Sequence, residues 1–356
     1  MKGKGYRVDG CGASGTAARY GHLEVMQWLV RQGYEKERKA LKWAVRGEHT
    51  EVIEWLLRLE SIWKVPYPAA RYGQMKVLEK VMRKNRLHGG IWVAEAAAGG
   101  RVDVLKWLAR HGNKNVDRAM AIAAEKGHLE VFKWAAGKGG IVNVDSVVPK
   151  AAYRGHLAII EWLCDQGCAC ATRAWRYAAQ GGHLHVLAWC IAWAQIKLPA
   201  EEVVTEAARN GHVEILEWFY RLHAGREDTM KAIRIPEEAM IEVAGGGYVR
   251  VLEWLEAHGI KAENERWAIK GSEEAAKGGH VNVLAWMAMR GLEWDRIKCC
   301  ETAASRGDLD TLEWLFRECG CSWTEEVSVK ATQDTQAAQW ALENGCGEAG
   351  KAYAWA

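Results

Sequence analysis

Several features are scarce or missing in this chain of 356 residues, and each absence excludes a class of protein. It has 5 prolines and no low-complexity tract, which argues against a long disordered linker. No run of about 18 apolar residues occurs, so a membrane-spanning helix is not expected. The opening residues, MKGKGYRVDG, lack the apolar core of a secretory signal. We therefore expect an intracellular, cytoplasmic protein.

Motifs of enzymes and cofactor sites are also missing. The chain contains no G-x-x-x-x-G-K-[S/T], no H-E-x-x-H and no G-x-S-x-G. The segment Gly10–Gly15, GCGASG, matches G-x-G-x-x-G, but a dinucleotide site needs a preceding strand and a βαβ unit. A repeat unit follows this segment instead, so we interpret the match as chance. We expect no enzymatic activity and no cofactor.

The ten cysteines do not have the spacing of a zinc site. One cluster reads C-x3-C-x-C and neither cluster has paired C-x2-C motifs, which zinc sites commonly use. Scattered cysteines in a long chain favour reduced thiols over a disulfide framework. We expect no metal site, and we expect Cys168, Cys321 and Cys346, which share one repeat position, to be small buried loop residues. The two clusters are Cys164, Cys168 and Cys170, and Cys299, Cys300, Cys319 and Cys321.

What the chain has in abundance is one repeated octapeptide, represented by GHLEVFKW from Gly127 to Trp134. The copy GEHTEVIEW from Gly47 carries one extra residue, and GQMKVLEK from Gly73 has Lys80 in place of tryptophan. A twelfth, degenerate copy ends at Trp340. Such self-similarity identifies a repeat protein. The other copies begin at Gly21, Gly100, Gly155, Gly182, Gly211, Gly247, Gly279 and Gly307.

Each copy predicts two short helices. A small pair such as Ala123-Ala124 precedes the glycine, which indicates the end of a first helix that another helix approaches closely. Glycine then supplies the positive φ of a helix C-cap. Apolar residues after it, such as Leu129, Val131 and Phe132, form a stripe on a second helix. Helices this short are marginal alone, so the units must stack.

The alanine pair followed by Gly-His-Leu-Glu-Val resembles the ankyrin repeat, with tryptophan in place of the first leucine of the apolar run. The resemblance covers nearly the whole chain. It implies an all-α, ankyrin-like solenoid of about 11–12 helix-turn-helix repeats. The Thr-Pro-Leu-His start of the family's first helix is absent, and the period of about 27 residues is shorter than the usual 33 or so. We therefore expect shortened inter-repeat hairpins.

The repeat pattern also divides the chain. Residues 1–12 are a polar lead-in, residues 13–345 are the repeat array, and residues 346–356 are a C-terminal tail or cap. The spacing between copies widens at two places, which predicts enlarged inter-repeat loops at about 221–236 and 259–272. In ankyrin-like stacks such loops lie on the side used for binding.

Two residue types recur once per repeat and invite a chemical interpretation. Eleven of the 20 tryptophans occupy the stripe position, and we predict that they pack in the core, so that Trp134→Ala costs about 3–5 kcal/mol if Trp134 is fully buried. The repeat histidines, such as His128, are spaced about 10 Å apart in a stack, because helices pack 8–10 Å apart. One metal ion cannot bridge that distance. We expect these histidines to be structural, with hydrogen bonds across the turn.

Charge is distributed unevenly and suggests where a partner binds. Residues 1–140 contain 26 Lys and Arg against 14 Asp and Glu, whereas the remaining residues contain 22 against 31. Basic residues concentrate in the third repeat, and others lie in the first enlarged loop. A solvated face that binds nothing explains the third-repeat cluster equally well. The candidate partner-binding residues are Arg71, Lys76, Lys80, Arg83, Lys84, Arg86, Arg226, Lys231 and Arg234.

We interpret the chain as a non-enzymatic scaffold or adaptor that binds another protein, one with an acidic surface, through its concave face and inter-repeat loops. This interpretation includes a role as a subunit of a larger assembly. Ankyrin-like proteins mostly mediate protein–protein contacts, and a stack presents a rigid, preorganised surface. The alternative is a binder of polyanions, either nucleic acid or anionic membrane, through the basic N-terminal half. No exposed aromatics are evident among the basic residues, which disfavours nucleic acid. No small-molecule substrate is expected.

Overall fold

A computed structural model describes residues 10–34, 40–59, 66–84, 89–113, 115–140, 142–168, 170–193, 198–223, 232–264, 266–318 and 339–340. The described residues form helical hairpins that fall into two compact units, residues 1–170 and 171–356. Within this described part, no helix has the length and apolar character needed to cross a membrane. The chain is thus an all-α helical-repeat protein, as predicted.

In the first unit, the described residues form six hairpins, each a first helix followed by a second. They are α1 (Gly10–Arg19) and α2 (Leu23–Arg31), α3 (Ala40–Arg46) and α4 (Thr50–Leu59), α5 (Pro66–Tyr72) and α6 (Met75–Lys84), α7 (Gly89–Ala98) and α8 (Val102–Arg110), α9 (Val116–Lys126) and α10 (Leu129–Gly137), and α11 (Val144–Tyr153) and α12 (Leu157–Asp165).

The described residues of the second unit form five hairpins and two short strands. They are α13 (Ala171–Gly181) and α14 (Leu184–Ala192), α15 (Ala200–Arg209) and α16 (Val213–Leu222), α17 (Glu237–Gly245) and α18 (Val249–Ala257), α19 (Trp267–Gly278) and α20 (Val281–Met289), and α21 (Arg296–Arg306) and α22 (Leu309–Arg317). Strand β1 (Arg234–Ile235) precedes α17, and β2 (Lys261–Ala262) follows α18.

Within each unit, the first helix of a hairpin packs on the first helix of the next. The alanine pairs allow this close approach, since Ala123 and Ala124 of α9 are both fully buried. The repeat glycines then reverse the chain, and Gly127 has φ +77° in the left-handed region. These features confirm the predicted helix-turn-helix unit and the role of its glycine.

The second hairpin departs from the predicted register. Glu48, not Gly47, occupies the left-handed position there, with φ +60°. The amide N of His49 donates to the oxygen of Ala44, five residues earlier, as the amide N of His22 donates to the oxygen of Ala17. This second copy therefore carries no extra residue. Its glycine has been replaced by glutamate at the same place, and the prediction of an insertion was wrong.

The Gly10–Gly15 segment lies inside helix α1, which begins at Gly10. Its glycines therefore form no phosphate-binding loop, in agreement with a chance match. The degenerate twelfth copy and the tail lie outside the described residues, apart from residues 339–340.

Candidate functional site

The predicted basic residues are only partly brought together. Arg71 lies in the last turn of α5 with an exposed side chain, and its Nη1 lies 3.5 Å from Oε2 of Glu95. Lys76 is exposed on α6. Arg234 is exposed on β1, far along the chain, and its Nη1 donates to the oxygen of Ile233 at 3.0 Å. The side chains of Lys80, Arg83 and Lys84, and all of Arg86, Arg226 and Lys231, lie outside the described residues.

With the register of the second hairpin corrected at Glu48, three arginines fall at the same repeat position. We call this set the arginine column. Arg19, Arg46 and Arg71 each lie two residues before the left-handed residue of their hairpin. Their helices α1, α3 and α5 pack in succession, so the three positions stack at roughly the 8–10 Å spacing of packed helices. All three side chains are exposed. Three successive hairpins thus present one cation each in a row.

Aromatic rings lie between these cations. The guanidinium carbon of Arg19 is 5.5 Å from the centroid of the Trp43 ring, and that of Arg46 is 5.9 Å from the same ring. Arg19 is also 5.8 Å from the Tyr20 ring, which is 60% exposed. Contacts of this length are cation–π interactions that orient the guanidinium over the ring. The basic strip consists of Arg19, Tyr20, Trp43, Arg46, Arg71 and Tyr72.

The basic strip is limited to the first three hairpins. The next two positions in the column are Ala98 and Glu125, which carry no positive charge. Hydrogen bonding to the Lys126 ammonium, followed by its Coulombic attraction, lowers the pKa of Glu125, so this carboxylate stays charged at neutral pH. Within the described residues, Arg19 and Arg46 have no ion-pair partner, and Arg71 has the one with Glu95. The strip therefore keeps most of its positive charge.

Corresponding surfaces in the second unit are neutralised by ion pairs between hairpins. The Arg176 guanidinium donates to Oε1 of the buried Glu206 from Nε at 3.0 Å and from Nη2 at 2.8 Å. This hydrogen bonding raises the pKa of Arg176. Arg209 forms an ion pair with Glu242, with 3.0 Å between Nε and Oε2. These two arginines are therefore neutralised by glutamates of the next hairpin.

Four repeat histidines, His49, His128, His156 and His212, bond their hairpin to the one before it. Nε2 of His49 donates to the oxygen of Arg19 at 2.9 Å, and Nε2 of His128 donates to the oxygen of Ala98 at 3.0 Å. Each acceptor is one of the carbonyls that a helix end leaves unpaired. The bond spans two repeats, whereas the sequence predicted a bond across the turn of one repeat. The His49 bond also fixes the backbone at Arg19, within the basic strip.

The stripe tryptophans are not uniformly in the core, and this prediction was wrong for most of them. Trp254 and Trp286 are buried, whereas Trp134 is half-buried and Trp28 is 51% exposed. The fully buried positions of α10 are Val131, Phe132 and Ala135. Since successive residues are about 100° apart around a helix, Trp134 lies on the flank of that buried stripe.

The cysteines differ from expectation in one place. Cys164 and Cys170 are joined as a disulfide, so the expectation of reduced thiols was wrong for this pair. Cys168 is half-buried, while Cys321 and Cys346 lie outside the described residues. No group of three or more His, Cys, Asp or Glu side chains converges as metal ligands within the described part of the chain.

Comparisons with known proteins assign the chain to no family. No protein-family model and no curated protein matches the sequence. Among solved structures, the pentatricopeptide repeat protein PPR10 from maize matches with a TM-score of 0.34 and 14% identity, covering 95% of this chain and 59% of that one. PPR10 in complex with an 18-nt psaJ RNA element matches with the same score and identity, covering 97% and 64%. The chain thus spans less than two thirds of these relatives, and the ankyrin assignment stays a resemblance.

Proposed function

We propose that this helical-repeat protein is a non-enzymatic scaffold whose basic strip binds a polyanion, and that the polyanion is single-stranded nucleic acid. The observation that carries the proposal is Trp43, which lies beside the guanidinium groups of both Arg19 and Arg46, next to the exposed Tyr20. From the sequence, nucleic acid was disfavoured because no exposed aromatic residues were evident among the basic ones. The basic strip contains both arginines and aromatic rings.

The physical argument concerns what each group offers a ligand. Proteins that bind single strands combine cations that follow the backbone with aromatic rings on which bases stack. Arg19, Arg46 and Arg71 provide charges spaced at the repeat distance, and Tyr20 provides an exposed ring face. A bare lipid headgroup or an acidic protein surface would interact with the arginines but has no base to stack on the Tyr20 ring. The aromatic component therefore favours nucleic acid among polyanions.

Fluorescence anisotropy with a labelled oligouridine tests the proposal, with salt varied between about 50 and 200 mM, the range over which phosphate contacts weaken steeply. A variant with Arg19, Arg46 and Arg71 changed to Gln is compared with a control in which Lys106, Arg110 and Arg118 are changed to Gln. The control removes the same charge from exposed positions of the same unit. We expect the strip variant to lose most binding and the control to keep it.

Two further results separate the components of the strip. Each phosphate contact contributes about −0.7 to the slope of log K against log salt for single strands, so the strip variant should lose a slope of about 2. Tyr20→Leu should weaken binding to oligouridine and leave binding to heparin, which has no bases, unchanged. Equal losses in the strip variant and the control would contradict the proposal, and so would the absence of binding at low salt.

A protein partner is the second candidate, and an exposed apolar group on the first hairpin favours it. Val25 and Trp28 lie three residues apart on one side of α2 and are 47% and 51% exposed, and Tyr34 beyond the helix is 36% exposed. Clustered exposed apolar side chains mark interaction surfaces. A nuclease-treated pull-down at physiological salt tests this candidate. It predicts a discrete partner that Trp28→Ala loses and the strip variant keeps, whereas recovery of nucleic acid alone argues against it.

A further inference from the structure

A disulfide lies at the C-terminal end of the first unit, immediately before the second unit begins at Ala171. It joins Cys164, the penultimate residue of α12, to Cys170, which lies 6 residues later and directly precedes α13. A third cysteine, Cys168, lies between the two and is a free thiol. These cysteines belong to neither the basic strip nor the exposed apolar group of the first hairpin, so the proposed function leaves them without a role.

The two sulfurs of the disulfide differ in their access to solvent. Cys170 is fully buried, whereas Cys164 is half-buried. The turn between them faces open space, because Asp165, Gln166 and Gly167 are exposed and a Cβ added to Gly167 would meet no atom within 4 Å. A thiolate opens a disulfide by attacking a sulfur that it can reach. A thiolate from solution therefore attacks the sulfur of Cys164 and not that of Cys170.

The buried position of Cys170 also suits a reduced thiol. Its Sγ lies 3.3 Å from the backbone oxygen of Cys168 and 3.6 Å from that of Ile160. Once the disulfide has opened, the thiol of Cys170 is a donor, and one of these oxygens accepts its hydrogen. The amide N of Cys170 donates to the same oxygen of Cys168 at 2.8 Å, which holds the turn in place without the disulfide. The turn therefore accommodates the oxidised and the reduced pair.

We infer that Cys164 and Cys170 form a redox-active pair that exchanges reversibly with small thiols and their disulfides. Cys164 reacts with the small molecule, and Cys170 is the resolving cysteine. The intermediate is a mixed disulfide between Cys164 and the small thiol, so Cys164 is also a site of modification by such thiols. Accessible thiols next to a resolving cysteine have this chemistry.

The exchange balances without any further reactant. In the oxidation, the Cys164 thiolate attacks a small disulfide, an S–S bond to Cys164 forms, and one small thiolate leaves. The Cys170 thiolate then attacks the sulfur of Cys164 and expels the second small thiolate. Two electrons pass from the cysteine pair to the small disulfide, and the two protons of the pair end on the two small thiols. The reduction is the reverse sequence, in which two small thiols are oxidised to their disulfide.

Trapping of the mixed disulfide tests the inference on the full chain. The reduced protein is treated with 2-hydroxyethyl disulfide, which is uncharged, because Asp165 beside Cys164 would repel an anionic reagent. Two variants leave one sulfur of the pair each: Cys168→Ser with Cys170→Ser, and Cys164→Ser with Cys168→Ser. The single change Cys168→Ser is the matched control. Acid quenching and peptide mass spectrometry locate the adduct, and the thermal unfolding midpoint confirms that each variant is folded.

The access of the two sulfurs sets the expected result. The variant that keeps Cys164 should accumulate the hydroxyethylthio adduct on that residue, and it should exceed the adduct on Cys170 in the other variant by about tenfold or more. The control should form the Cys164–Cys170 disulfide and retain no adduct. Cys190 is an internal reference that should stay unmodified, because the thiolate is the nucleophile and burial raises the pKa of this thiol to about 12. Equal adducts on Cys164 and Cys170, or none on Cys164, would overturn the assignment of roles.

Reversibility is tested on the wild-type chain, which needs no variant to fold. We expect dithiothreitol to open the Cys164–Cys170 disulfide while circular dichroism shows unchanged helix content, and we expect 2-hydroxyethyl disulfide to close it again after the reductant is removed. Peptide mapping without reduction follows the bond. A disulfide that dithiothreitol opens only in urea would be a structural one and would overturn the inference. A bond that re-forms between Cys164 and Cys168 instead would also overturn it.

Discussion

The imidazole of His156 hydrogen-bonds to the preceding hairpin and packs against the repeat glycine of that hairpin, Gly127. Its Nε2 lies 3.0 Å from the backbone oxygen of Glu125, at the end of the first helix of the preceding hairpin. A Cβ added to Gly127 would fall 2.5 Å from Nδ1 of the same ring. Glycine is thus required at position 127 for two reasons. Its φ is positive, and a side chain there would collide with the imidazole of His156.

Removal of this histidine should destabilise the first unit. We expect His156→Ala to cost about 1–2 kcal/mol, because it deletes a hydrogen bond and leaves a helix-end carbonyl unpaired. His22→Ala is the control, since His22 holds the same repeat position but is exposed and belongs to the first described hairpin, so no earlier described hairpin offers it a carbonyl. Urea unfolding followed by circular dichroism measures both. Equal effects would contradict an inter-hairpin role for His156.

Glu48 offers a stabilising change. It is exposed and holds φ +60°, a conformation that costs a residue with a Cβ about 1–2 kcal/mol. Glycine removes this strain but loses about 0.5–1 kcal/mol through chain entropy. We expect Glu48→Gly to raise the free energy of unfolding by about 0.5–1 kcal/mol. The reverse change, Gly127→Ala, should be strongly destabilising. An unfolding midpoint that is lowered by Glu48→Gly would refute the strain argument.

The sequence predicted the features that depend on local signals. Alanine pairs, left-handed glycines and the short second helices each follow from a few neighbouring residues, and the structure has them as predicted. The arginine column depends on register, and Glu48 concealed that register because glutamate rarely takes a glycine position. The parallel pairing of β1 with β2 places Arg234 opposite Lys261, and no sequence pattern links these two residues, which are distant in the chain.

The stripe tryptophans differ in burial, so their replacement should have unequal effects on stability. Trp254 is 7% exposed, with its ring 4.2 Å from that of His258, whereas Trp28 is 51% exposed. We expect Trp254→Ala to cost about 3–5 kcal/mol, as for a buried aromatic, and Trp134→Ala to cost less. Trp28→Ala should change stability by about 0.5 kcal/mol or less, as at a typical surface position. Thermal unfolding ranks the three, and equal losses would show that the stripe position contributes uniformly.

Cys190 makes stability depend on alkaline pH. Burial on α14 raises the pKa of its thiol from 9.0 to about 12, so the folded protein keeps the proton at a pH where the unfolded chain releases it. The stability that this thiol contributes is complete well below pH 9.0, the pKa from which burial raises it, and is lost as pH rises toward 12. Between these limits the loss is about 1.4 kcal/mol for each pH unit.

The comparison of wild type with Cys190→Ala isolates this effect from other groups that titrate in the same range. The variant removes the titrating thiol and some packing, so it starts less stable at pH 7. As pH rises from about 9 to about 11, the difference in unfolding free energy between the two proteins should shrink by about 2–3 kcal/mol. Urea unfolding under reducing conditions at each pH measures it. A difference that stays constant over this range would mean that the thiol ionises in the folded state as readily as in the unfolded chain, which burial beside Leu187 and Val186 does not allow.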